Sequence, residues 1–190
     1  SLLASVLLTG CSLFSPVPDV INKYELHPSI AHEARLHRGG LSLLVNKPQA
    51  QPWYDTTAMA YSNKPYQVAY FAENAWAEEP ANMLLPLMIQ ALQQNKRYGV
   101  IIGPNTIARN DYELNTRLLA LLQDFNQKPA RLILSVRAEL MRSGSRQVVA
   151  TQTFTLSEPM RTEDPFGGVM AANRATTRFL QELNEFCSSH

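Results

Sequence analysis

Side chains able to do covalent or acid–base chemistry are few in this 190-residue chain. Its only cysteines are Cys11 and Cys187. Three of its four histidines, His27, His32 and His37, recur at five-residue intervals. That spacing rotates side chains by about 140° on a helix and alternates them across a strand, so they meet at a metal only if the chain folds back. They read as solvated loop residues, and no metal site is expected. Arg109-Asn110-Asp111, Glu78-Glu79 and the group Arg161, Glu163 and Asp164 are polar clusters at element ends. Surface and capping roles suit them better than acid–base catalysis, because none has a partner group to receive or supply a proton. No G-x-S-x-G elbow, phosphate-cradling glycine loop, G-x-G-x-x-G or H-E-x-x-H pattern occurs. The sequence therefore predicts no catalytic residue, no cofactor and no enzyme.

Cys11 stands apart because of what precedes it. Small and apolar residues run from Leu2 to Leu8, and Gly10-Cys11-Ser12 ends the run. A membrane span needs about 20 such residues, whereas the hydrophobic part of a secretory signal needs only about 7–15 with small residues after it. Leu8-Thr9-Gly10-Cys11 resembles the lipobox of bacterial lipoproteins. There the cysteine thiol takes a diacylglyceryl group, the preceding peptide is cut, and the new amine is acylated. The resemblance makes residues 1–10 the remnant of a signal peptide and Cys11 the lipidation site. With no Met and no basic segment before it, the chain reads as beginning inside that signal. A buried helix start with a core cysteine is the weaker alternative, since Ser12, Ser15, Pro16 and Pro18 would end the helix at once. Once Cys11 carries lipid, Cys187 has no disulfide partner within the chain. On the apolar face of a helix, it reads as buried.

The remaining sequence must supply one folded domain. Hydrophobic residues make up 45%, charged residues 17%, and the formal net charge is +1. This is ordinary for a globular domain and lacks the basic excess of a nucleic-acid binder. No later segment approaches the length of a span. Residues 11–23 read as the lipidated cysteine and a proline-bearing tether, and residues 24–190 as the domain. Short strands are expected at 24–26 and 41–46. A hairpin is expected from the alternating Thr57, Met59, Tyr61 and Tyr66, Val68, Tyr70 around Asn63-Lys64-Pro65. Residues 78–95 change to helical spacing, with a kink at Pro86, and 99–102 form a short strand. Residues 112–125 fit either a helix face or a strand face. Because 131–141 and 146–156 form a clear hairpin that needs more sheet beside it, 112–125 is assigned as strand. A helix from 165 to 187 closes the chain. The order predicts a single-domain α+β fold, with two main helices packed on a mixed, mostly antiparallel sheet.

Aromatics crowd into YQVAYFAENAW, where Tyr66, Tyr70, Phe71 and Trp76 lie just after Trp53 and Tyr54. On a strand Tyr66 and Tyr70 face opposite to Phe71, so one set should be core and the other a possible partner or lipid contact. Together with LTGC, the stretches PYQVAYFAENAWAEEPANMLLPLMIQAL, DYELNTRLLALLQDF, RLILSVRAELMRSGSRQVVATQTF and GGVMAANRATTRFLQELNEFC resemble, in order, the ABC-type transport auxiliary lipoproteins. The resemblance covers nearly all of the chain after Cys11 and implies that 112–125 is a strand. It also implies a lipid-anchored, non-enzymatic periplasmic subunit that docks an MCE-type ABC system moving lipids between membranes. Its partners would be an MCE-domain protein and, through acyl chains on Cys11, a membrane. With Ser12 rather than Asp after the cysteine, the expected location is the periplasmic face of the outer membrane. The alternative is a periplasmic lipid-binding carrier with phospholipid in an apolar cavity.

Overall fold

The computed structural model of the protein describes residues 20–30 and 40–190. The expectations for the signal remnant, Cys11, most of the tether, His32 and His37 fall outside the described residues. In chain order the elements are β1 (Asn22–Tyr24), β2 (Leu41–Val45), β3 (Gln49–Ala50), a single 3-10 turn (Pro52–Tyr54), β4 (Ala58–Ser62) and β5 (Ala69–Trp76). They continue with α1 (Pro80–Leu92), β6 (Tyr98–Ile102), β7 (Tyr112–Asp124), β8 (Arg131–Arg142), β9 (Gln147–Pro159) and α2 (Pro165–Ser189).

The 13-residue strand β7 is the axis of the sheet. One edge carries β8 in a long antiparallel ladder, and β8 carries β9 in another. The other edge is covered in succession by β2, β3 and β4, all parallel to β7. Beyond them lie β6 on β2, β5 on β4 and β1 on β5. The result is the expected single α+β domain on a mixed sheet, in which two antiparallel ladders supply most of the pairing. The ambiguous segment is a strand. Several boundaries differ from the sequence reading, two of them in β1 and β5. The strand expected at 24–26 lies at Asn22–Tyr24, where it pairs with Asn74, Ala75 and Trp76. The second hairpin strand starts at Ala69 rather than at Tyr66, which has φ 65° and sits in the turn.

Period-two alternation turns one side of this ladder into core. Leu114, Leu118, Leu132, Leu134, Val136, Ala138, Leu140, Phe154 and Leu156 are all buried, and α2 packs on β7, β8 and β9. Phe154 sits edge-on to both Phe179 and Phe186 of α2, at centroid distances of 5.5 and 6.0 Å. α2 begins because Pro165 suits the first helical position and the Asp164 carboxylate accepts the Gly167 amide at 2.6 Å. Its first turn lies so close to β7 that a Cβ on Gly168 would collide with the Gln123 carboxamide. Gln123 is buried there, donating toward the Pro165 carbonyl and the Met59 sulfur. α1 starts at Pro80 and keeps its helical course through Pro86, with Leu84, Met88 and Leu92 in the core.

Candidate functional site

The β4–β5 hairpin divides the aromatic segment into core and surface. Trp76 is 2% exposed and belongs to the core. Phe71 is half-buried, stacked on Tyr61 at 4.5 Å with Phe125 edge-on to both rings. Tyr66 is fully exposed at the turn, and Tyr70 is exposed at the start of β5. The Tyr70 hydroxyl donates to the Trp53 carbonyl at 3.1 Å and so ties β5 to the 3-10 turn. The Trp53 ring is itself 56% exposed. Behind them Tyr54 is buried, and both burial and the neighbouring Tyr70 raise its pKa above the ordinary phenol value. The expected contact set therefore separates into an exposed group, Tyr66 and Tyr70, and a supporting group, Phe71 and Trp76. Trp53 joins the exposed group. The Tyr70–Trp53 contact brings it there, and sequence adjacency gives no sign of that contact.

A second surface lies on the side of the β7–β8–β9 ladder that α2 leaves uncovered. The segment from Asn46 to Gln51 walls it, making a groove of about 700 Å³. Arg117 and Arg137 face each other directly across the β7–β8 ladder, a placement that is unfavourable for like charges. Arg117 donates to the Gln49 amide oxygen at 2.6 Å. The side chains of Arg137 and Glu139 make no hydrogen bond or ion pair with the described residues. Asn46 donates to the Asn115 amide oxygen at 2.8 Å, and Lys47, Thr153 and the apolar Leu119 also line the groove.

The remaining chemistry-bearing groups serve the fold. Cys187 is fully buried, and burial pushes its thiol up to about 12, which suppresses the reactive thiolate. The Asp111 carboxylate is held below the usual range by the Ser42 amide and hydroxyl, both at 2.7 Å. Glu163 is lowered by its 2.9 Å bond from Lys128 and by the Ala130 amide. The Asp164 carboxylate caps α2, whereas Glu79 occupies the N-cap position of α1 without a side-chain capping bond. The backbone amide of His27 donates to the Asn173 side chain, tying the segment after β1 to α2. Among the described residues no three His, Cys, Asp or Glu side chains gather as metal ligands, and no helix is long and apolar enough to cross a membrane.

Residues 24–184 match the family described as the ABC-type transport auxiliary lipoprotein component. The chain belongs to this family. A search of curated proteins found no match. Among solved structures, the fold is similar to protein XCC0632 from Xanthomonas campestris, a member of DUF330. The TM-score is 0.77 at 22% identity, covering 87% of this chain and 94% of that one. An uncharacterized protein superposes with a TM-score of 0.70 at 13% identity, covering 89% and 99%. The hypothetical protein CT253 from Chlamydia trachomatis reaches 0.52 at 6% identity, covering 80% and 100%. These likenesses are of fold. The family adds the role of an auxiliary lipoprotein of ABC-type transport, and with it an envelope location.

Proposed function

We propose that this protein is the lipid-anchored, non-enzymatic docking subunit of an MCE-type ABC system that moves lipids between membranes. In this reading the transport machinery acts elsewhere, and this chain holds its periplasmic part in place. The family match over residues 24–184, downstream of a lipobox-like LTGC at residues 8–11, carries the proposal. The exposed Tyr66, Tyr70 and Trp53 offer amphipathic rings on the β4–β5 hairpin and the 3-10 turn tied to it, the kind of side chain that anchors protein interfaces. An MCE-domain protein is the partner this surface would meet.

Cys11 supplies the anchor. Each buried methylene contributes about 0.8 kcal/mol, and stable attachment takes about two chains or signals. Acyl chains on Cys11 therefore hold a domain of near-neutral charge without electrostatic help. Ser12 favours the periplasmic face of the outer membrane over the inner one. Cys11→Ser should release the whole protein into the soluble periplasm, as fractionation would report. Retention of that variant in membranes would overturn the anchor assignment. Crosslinking in the native envelope should recover an MCE-domain protein, and its absence from the crosslinked set would overturn the docking assignment. The carrier alternative needs an apolar cavity, whereas the groove on the open face is lined mostly by polar side chains. Native mass spectrometry of the delipidated domain should find no bound phospholipid.

A further inference from the structure

The apolar residues exposed on α2 are confined to its beginning. Along its solvent-facing stripe, Phe166 and Met170 are 55% and 45% exposed, and then Arg178, Gln181 and Glu185 continue the stripe as polar residues. Phe166 and Met170 are four residues apart, one above the other on a single helix face. The chain enters the described domain at the same place. The Tyr24 ring lies 6.1 Å from that of Phe166, and Ser29 then bonds Thr177 further along α2. Val20 and Ile21, 76% and 50% exposed, precede Tyr24 by four and three residues. At about 3.3 Å per residue they begin roughly 10–13 Å from it. Two exposed apolar pairs, one on the entering chain and one on the helix, thus flank Tyr24.

We propose that Val20, Ile21, Phe166 and Met170 form a seat that rests on the lipid surface to which Cys11 is attached. The proposal builds on the lipidation of Cys11. Eight residues separate Cys11 from Val20, and the nine steps between them reach at most roughly 30 Å when extended. The tether therefore delivers this end of the domain, rather than the far end of α2, to the bilayer. Tethering also turns a weak contact into an intramolecular one, at an effective concentration on the order of millimolar. A small patch can then stay seated even though it would not bind membranes by itself. The seat fixes an orientation: α2 starts at the membrane and its polar C-terminal half points away.

Quenching by brominated lipid tests this with the lipidated full chain in phosphatidylethanolamine–phosphatidylglycerol vesicles. In a Trp53→Phe background, the buried Trp76 supplies a constant baseline. Phe166→Trp or Met170→Trp then reports the seat, and Arg137→Trp reports the groove face. Vesicle flotation reads the anchor separately, and near-UV circular dichroism confirms that each variant is folded. The seat predicts flotation, with an about twofold loss of reporter emission at 166 and 170 and almost none at 137. Flotation without quenching at either seat position would overturn the seat and leave the anchor standing. Quenching at 137 instead would overturn the orientation. Failure to float would overturn lipidation of Cys11, and with it the seat.

Discussion

The two faces of the β7–β8–β9 ladder are built by alternate residues of the same strands, yet they do opposite work. Toward α2 they present Leu118, Val136 and Phe154, all buried. Away from it they present Arg117, Arg137 and Thr153 around an open groove. The difference shows where this fold keeps its stability. Closing one face against a 25-residue helix stabilises the scaffold, so the open face and the β4–β5 hairpin carry little of that burden.

The largest expected effect breaks the covered face. Phe179 is fully buried against Phe154, so Phe179→Ala should cost about 3–5 kcal/mol in urea unfolding. A loss under about 1 kcal/mol would mean that α2 is not the principal cover. Gly168→Ala should cost about 1–3 kcal/mol by overpacking against Gln123. Gln123→Ala in the same chain should recover part of that loss, and strictly additive losses would contradict the close approach.

Alkaline titration probes the same face more gently. Burial raises the thiol of Cys187 from 9.0 to about 12 and the phenol of Tyr98 from 10.0 to about 12. Both groups are neutral in the folded state where the unfolded chain has already ionised. Stability should therefore hold below about pH 9 and fall as pH rises toward about 12. Melting temperature against pH would show it, and Cys187→Ala should flatten the first part of the decline. At the small end, Arg137→Ala on the open face should change stability by less than about 0.5 kcal/mol, or stabilise slightly by removing the facing like charge. A loss above about 2 kcal/mol would make the open face part of the scaffold.

How much of this was legible in the sequence varied by element. β8 alternates without interruption, and its burial follows the alternation. β7 does not, for a physical reason: its pairing with β8 shifts register between Leu118 and Ala120. Buried positions therefore run 114, 116, 118 and then 121 and 123. The jump of three after Leu118 mimics helical spacing, which is why periodicity alone left 112–125 undecided. Tyr66 continued an alternating pattern but sits in the turn at positive φ. The parallel pairings of β2, β3 and β4 on β7 join segments far apart in the chain, and local pattern carries no record of them. The aromatic group was visible as composition. Its division into Trp76 inside and Tyr66 outside depends on those tertiary pairings.

Photo-crosslinking at single positions in the native envelope tests the docking claim most directly. A photoreactive residue at Tyr66 should form an adduct with an MCE-domain protein, whereas one at Arg178 on the far side of α2 should not. If Tyr66, Tyr70 and Trp53 all fail to capture a transporter component while the protein stays anchored and folded, the docking assignment is contradicted.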